Sequence, residues 1–526
     1  MAKLSDHGSP RVTELHLARG PLKNWLLAVL LGAFLLIFVF AALSPVISSI
    51  ARTRVQSALQ ARFDSDLVIR NLRVSLFPSV RLSGDSIVFH RKGHPGDPPL
   101  IQIARFTASG NIMGLLARHL ALVHIEGLVI QVPPKGSGSA GPRGGGKSPH
   151  FVIDEIIADG TKLSIIPRDS WKEPLVFDIK TLRMHNARSN GPLSFNAVLT
   201  NAKPPGEINS QGTFGPWDAK EPGDTPVSGS YTFRNADLGV FKGISGALSS
   251  EGSYRGALER IEAAGHTDVP NFMVTLAGNP VHLTTDYQAV IDGTKGNTYL
   301  TSVTARFEHS TLVANGLVEG KRGVAGKTVS LDATVAGGRL EDMLRLSVHA
   351  ANPPLRGAIS FHSKIVIPPG NGDVVEKLKL SGAFAVSAAQ FSQPDVQKKI
   401  NGLSHRGEGN PDDATAPTVV SDFHGKFSLD RGVLAVHDLS FHVPGVGIAL
   451  NGKYALEDQS LRFEGTATLA ANISQTTTGF KSTLLKALDP FFRKKGSAAG
   501  AVIPIFISGT PSKPSFGLNV FHRGDE

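Results

Sequence analysis

The chain of 526 residues contains no cysteine. This excludes a disulfide framework, a thiolate zinc site, an iron–sulfur cluster and a cysteine nucleophile. It leaves the compartment open, because oxidising surroundings permit disulfides without requiring them. Charge is also scarce, at 19%. Low charge beside 56 glycines is unlike a helical or coiled-coil protein and fits many short strands joined by turns. Aromatics are few, at 7%, and the basic residues behind the net charge of +10 are dispersed. No basic patch is interleaved with stacking rings, so nucleic acid is not an expected partner. A solvated basic face with a weak pull toward anionic headgroups fits better. A hydrophobic fraction of 41% rules out wholesale disorder. The length exceeds one ordinary core and suggests roughly two to four domains.

Long apolar runs are lacking too, with one exception. Residues 25–43 read WLLAVLLGAFLLIFVFAAL without a charge. A helix of that length crosses a hydrocarbon core of roughly 30 Å. The spacing predicts a transmembrane anchor over 25–44, carried by Trp25, Leu30, Leu36 and Phe40, after a short cytoplasmic tail at 1–24. A cleaved signal peptide is the alternative, and Ala41, Ala42 and Ser44 supply small residues for it. The run exceeds the roughly 7–15 residues of a signal core, which favours the anchor. Lys3, Arg11, Arg19 and Lys23 precede it while Arg52, Arg54 and Arg62 follow. This slight bias points to a cytoplasmic N-terminus.

Beyond a short amphipathic helix on Val55, Ala58, Leu59 and Phe63, the apolar period becomes two. Val74, Leu76, Pro78, Val80 and Leu82 alternate with polar residues, apart from Phe77. Leu193, Phe195, Ala197 and Leu199 do the same, as do Val446, Ile448, Leu450, Tyr454 and Leu456 and then Leu461, Phe463, Ala467 and Leu469. One apolar and one wet face is the pattern of antiparallel sheet. Asp430-Arg431-Gly432, Glu457-Asp458 and Asp292-Gly293 mark turns. Gly-x-Tyr at Gly229-Tyr231, Gly252-Tyr254 and Gly452-Tyr454 hints at a repeated strand start. The expected fold is mainly β, a long curved antiparallel sheet behind the anchor.

Helices are expected at 112–116, 340–346, 394–403 and 478–492. The last has Phe480, Leu484, Leu488 and Phe491 on one side and Lys481, Lys486 and Arg493 as charge. It fits a membrane surface or a cap over an open sheet. Residues 133–149 (PPKGSGSAGPRGGGKSP) form a flexible linker by composition, and 401–418 a second polar loop. The organisation read from this is a module at 45–132, the linker, a β-rich middle at 150–380 and a final region at 381–526.

Catalytic signals are weak. Residues 141–148, GPRGGGKS, match the phosphate-loop pattern, but no strand precedes them and Pro149 follows, so the required strand–loop–helix context is missing. His90 with His94, and His437 with His442, lack a converging carboxylate. No G-x-S-x-G or H-E-x-x-H occurs. The chain reads as a non-enzyme without cofactor or metal.

After the anchor and its helix come DLVIRNLRVSLFPSVRLSGDSIVF (66–89) and PPLIQIARFTASGNIMGLLARHLALVHIEGLVIQVPP (98–134). Later come FSLDRGVLAVHDLSFHV, GIALNGKYALEDQSLRFEGTATL and the closing IPIFISGTPSKPSF (503–516). In these segments and their layout the chain resembles the AsmA family. These regions cover roughly half the chain. The resemblance implies a bacterial inner-membrane protein with its bulk in the periplasm. It implies a part in outer-membrane assembly and phospholipid movement, with phospholipids, the inner membrane and outer-membrane or periplasmic proteins as partners. The fold it implies is the grooved sheet of bridge-like lipid transfer proteins.

A one-sided apolar sheet with few helices must pair with another sheet, curl on itself or hold an apolar ligand. In the groove reading, Val446, Ile448, Leu450, Tyr454, Leu461, Phe463 and Leu469 face the acyl chains. The alternatives are a non-transporting envelope scaffold of closed β-sandwiches using the same residues, and a secreted β-rich enzyme.

Overall fold

The computed structural model describes residues 65–518 apart from 76–79, 92–97, 112, 115–118, 135–151, 189–190, 203, 219–220, 277, 350–351, 371, 412–418 and 478–499. The expected anchor with Trp25, Leu30, Leu36 and Phe40, the helix around Val55, the phosphate-loop match and the helix at 478–492 lie outside the described residues. Among the described residues no helix is long and apolar enough to cross a membrane.

The strands run β1 (Ser65–Ser75), β2 (Val80–Arg91), β3 (Ile101–Gly110), β4 (His119–Val132), β5 (Val152–Ile165) and β6 (Leu175–Arg188). They continue as β7 (Leu193–Ala202), β8 (Pro205–Phe214), β9 (Pro226–Asp237), the short β10 (Ile244–Ser245), β11 (Ala247–Ala257) and β12 (Arg260–Val274). Then come β13 (Val281–Asp292), β14 (Asn297–Phe307), β15 (Ser310–Lys321), β16 (Val324–Arg339), β17 (Leu355–Ile367) and β18 (Lys379–Phe391). The last are β19 (Ser421–Asp430), β20 (Val433–Val443), β21 (Val446–Ala455), β22 (Leu461–Leu469), β23 (Ala501–Thr510) and β24 (Lys513–Leu518). Helices α1 (Leu340–Ser347), α2 (Val374–Lys377) and α3 (Pro394–Gly407) follow β16, β17 and β18.

All 24 strands belong to one sheet. Apart from β10, each strand pairs with the next along the chain, so the sheet is a meander and not a set of sandwiches. The turns obey local chemistry. Asp430 pairs with Val433 across Arg431 and Gly432, both at positive φ (49° and 70°), the geometry of a two-residue hairpin. Asp292 stays buried at its turn because its carboxylate accepts from the backbone N–H of Thr294 and Lys295.

The sheet is antiparallel as expected but for one pair: β4 and β5 are parallel, with His119 beside Val152 and Val132 beside Ile165. A parallel pair needs a connection of about a dozen residues or more, and the chain between Val132 and Val152 is long enough for one. The alternating run from Val74 to Leu82 is two strands: Val74 faces Leu82 across the β1–β2 hairpin.

The strand ends form two rims, and the sheet winds until opposite rims meet. The loop after β5 reaches the β13–β14 turn, where the Arg168 N–H donates to Thr294 O at 2.9 Å and Lys172 Nζ to Lys295 O at 2.6 Å. Past β9, Lys242 O accepts from the Val374 N–H at 3.0 Å, at the start of α2. After β18, Gln393 Nε2 donates to Ser512 O at 3.1 Å, in the β23–β24 turn. Apolar clusters seal these joints. Val132 and Ile165 from one rim pack with Val227, Leu258 and Ile261 near the other. Val348 meets Val375, Leu429, Tyr454 and Leu456 in the same way. Bulges with positive-φ residues in mid-strand, among them Asn71, Asn235, Ala388 and Asp438, sharpen the twist that winding requires.

The outer face is wet. His266 and His282 hydrogen-bond to Asp286 and Asp268 across strands there, and cross-strand ion pairs such as Lys162–Asp178 and Lys426–Asp438 join them. Exposed pairs of this kind contribute roughly 0–1 kcal/mol each, so winding and apolar burial hold the fold.

Candidate functional site

The inner face of β18–β24 is the floor of a cavity of about 1280 Å³. Its rows come from strand register. Leu434, Tyr454 and Leu461 make one row, Phe441, Ile448 and Ala467 another, and Phe463 with Ile507 a third. Helix α1 supplies Leu340 and Leu344 at one side, and α3 lines the other with Ile400 and Leu403. The volume exceeds the roughly 300–1,000 Å³ of an ordinary small-molecule pocket, and the lining is mainly aliphatic and aromatic.

Of the residues singled out in sequence, Ile448, Leu450, Tyr454, Leu461 and Phe463 line this cavity. Val446 and Leu469 face the same side and pair with each other. They lie buried in the cluster that α3 covers, with Ile400 packed among them. They are core beneath the helix and do not line the cavity. His437 is exposed, and His442 stacks on His424 with ring centroids 6.3 Å apart. Among the described residues no group of three or more His, Asp or Glu is placed to hold a metal ion.

Helix α3 runs four residues further than expected, to Gly407, so 401–407 are not loop. Packing against the sheet carries the helix past Leu403. Ser404 Oγ donates to Pro444 O at 2.7 Å, and Gly407 lies so close to Val446 that any side chain would collide.

The Gly-x-Tyr signal does not mark strand starts. It is reciprocal packing inside the sheet. On β9 and β11, Gly229 faces Tyr254 while Tyr231 faces Gly252. Each ring lies on the glycine opposite. Along the same row Gly252 pairs with Gly265, and Gly265 with Tyr287. Two tyrosines thus approach over a glycine pair, and their hydroxyls hydrogen-bond each other. The neighbouring row runs Phe195, Gly212, Gly229, Tyr254. Gly452 under Phe463 repeats the arrangement on the cavity floor. Glycine opposite an aromatic recovers packing that glycine alone lacks.

These hydroxyls form a polar belt across an otherwise apolar face. Tyr231 Oη meets Ser250 Oγ at 3.0 Å, and Ser210 Oγ meets Tyr254 Oη at 2.7 Å. Burial pushes the Tyr254 phenol up, partly offset by its bond to Ser210. Burial, and then the Tyr231 hydroxyl, raise Tyr287 as well. On the cavity floor, burial and the nearby Asp458 carboxylate push Tyr454 up to about 12. A raised phenol pKa favours the folded state below the unfolded value of 10.0, and that stability is lost as pH climbs through the folded values. The melting temperature is therefore expected to hold up to about pH 10 and to fall beyond it. Tyr287→Phe should lessen the fall. Melting followed beside phenolate absorbance checks this, and a fall equally steep in the variant would contradict it.

The cavity also has a polar stripe that sequence reading missed. Asp395, Lys398, Lys399, Gly402 and Arg406 recur at helical spacing and border it. The helix expected over 394–403 holds all of these but Arg406, which lies beyond its expected end. No protein-family model, curated protein or solved structure matches the chain.

Proposed function

We propose that the chain binds phospholipid along the apolar inner face of its sheet and passes it along that face. In this reading residues 25–44 anchor it in a bacterial inner membrane and the sheet stands in the periplasm. There it would supply lipid for outer-membrane assembly, alone or with periplasmic or outer-membrane partners. The observation that carries the reading is the large apolar cavity on the inner face of β18–β24. Each methylene withdrawn from water contributes about 0.8 kcal/mol, so long chains bind without a deep polar site. An apolar floor without strong local traps also permits sliding. The AsmA-like segments in the sequence point the same way.

Full-length protein purified in detergent, washed and extracted, should yield phospholipid in near-stoichiometric amount. A preparation that carries none and takes up none from vesicles would contradict the reading.

A further inference from the structure

We infer that the α3 stripe is the headgroup site of the cavity, and that it selects lipids whose headgroup is an anionic phosphate. The inference rests on the lipid-binding reading above and adds a specificity to it.

Helix α3 uses its two sides differently. Val396, Ile400, Ser404 and Gly407 are buried against the sheet. The stripe of Asp395, Lys398, Lys399 and Arg406 borders the cavity, where Lys398, Lys399 and Arg406 are exposed. Three cations therefore stand against one carboxylate at the mouth of an apolar space. Among the described residues none of the three makes an ion pair, whereas Lys379 and Lys426 on the sheet reach Asp430 at 3.5 Å and Asp438 at 3.0 Å. Lys399 Nζ lies 5.9 Å from the Phe516 ring, and Phe516 is itself exposed at the cavity.

Gly402 sits in the middle of this stripe. A Cβ built there meets nothing within 4 Å, and its φ is not in the left-handed region. Neither packing nor backbone conformation calls for glycine at that position. What the missing side chain leaves is open space one helical turn from Lys398 and Lys399 on one side and from Arg406 on the other. Lys and Arg hydrogen-bond phosphate oxygens strongly through charge-assisted contacts. A free phosphate compound would leave the apolar floor unused, so the occupant is a lipid: chains on Leu434, Phe441 and Phe463, headgroup at Gly402.

The test uses the full chain in detergent with two fluorescent lipids of identical chains, phosphatidylglycerol and zwitterionic phosphatidylcholine. Wild type should bind phosphatidylglycerol about tenfold more tightly, as expected for a few basic side chains near an anionic headgroup, and added salt should erode the difference. The triple variant Lys398→Gln, Lys399→Gln, Arg406→Gln should lose that preference and keep its affinity for phosphatidylcholine within about twofold. Gly402→Leu, which has room to fold, should also lower phosphatidylglycerol binding. Equal affinity of wild type for the two lipids, or displacement of the lipid by soluble glycerol phosphate, overturns the headgroup site and leaves the lipid-binding reading standing. Failure of wild type to bind either lipid overturns both.

Discussion

Gly465→Val is expected to destabilise the protein by about 3 kcal/mol or more, near the upper end for overpacking a tight interior. A Cβ at Gly465 would stand 1.9 Å from Ala449 O and 2.9 Å from Leu450 Cα. These are backbone atoms of β21, and they cannot swing aside as a side chain would. Gly320→Val is the control. It too lies within a strand, but only Gly326 O, at 3.9 Å, comes within reach of its Cβ. There the change should stay within about 0.5 kcal/mol, the range of surface substitutions. Urea unfolding of the two variants beside wild type checks both. Similar losses at the two positions would mean that close strand approach is not what the interior glycines provide. Gly212, Gly316 and Gly382 meet opposing backbone at 2.0–2.1 Å in the same manner, so close approach recurs along the sheet.

The second large effect concerns the cavity. Leu439→Trp combined with Ile505→Trp should lower bound phospholipid about tenfold while leaving the melting temperature within a few degrees, because both side chains are only partly buried and point into open volume. Quantified lipid in purified wild type and double variant reads the effect. Unchanged occupancy in a folded double variant would place the lipid elsewhere.

The strands of the C-terminal region were legible because their period of two is clean. Val446, Ile448 and Leu450 alternate with exposed Ala449 and Asn451, as the sequence reading expects. The turns at Asp430 and Asp292 were legible because glycine and aspartate chemistry there is local. What escaped is what depends on distant partners. Gly229-x-Tyr231 and Gly252-x-Tyr254 look like a repeat along the chain, yet the spacing arises because each motif fills the other across an antiparallel pair. The parallel β4–β5 pair follows from a crossover that composition revealed as a linker without saying where it returns. A signal did exist: the 19 residues from 133 to 151 can span roughly 60 Å, more than the length of the 14-residue β4. The meeting of the rims could not be read at all, because Ile165 and Gly293 touch only after the sheet has turned through many strands. For the candidate site, five of seven named residues line the cavity, while Val446 and Leu469 lie under α3 because that helix passes over their end of the strands. The cations of α3 were missed as a stripe because the helix expected over 394–403 stops short of Arg406, and only its packing on the sheet shows which side borders the cavity.

Winding also changes what the strand count means. Twenty-four strands laid side by side would extend on the order of 110 Å at the usual spacing. Because the rims meet at several joints, the same strands do not extend in one line and give up reach. Under the proposed reading such a sheet holds a lipid, and spanning between membranes would need a partner or a second copy.

The measurement that tests the central claim most directly is site-specific photocrosslinking along β21 in cells. A photoreactive side chain is placed in turn at Ile448, Ala449, Leu450 and Asn451, and phospholipid attached to the protein is counted. The account predicts attachment at Ile448 and Leu450 and none at Ala449 and Asn451, the period of two written in lipid. Equal attachment at all four positions, or at none, would contradict it.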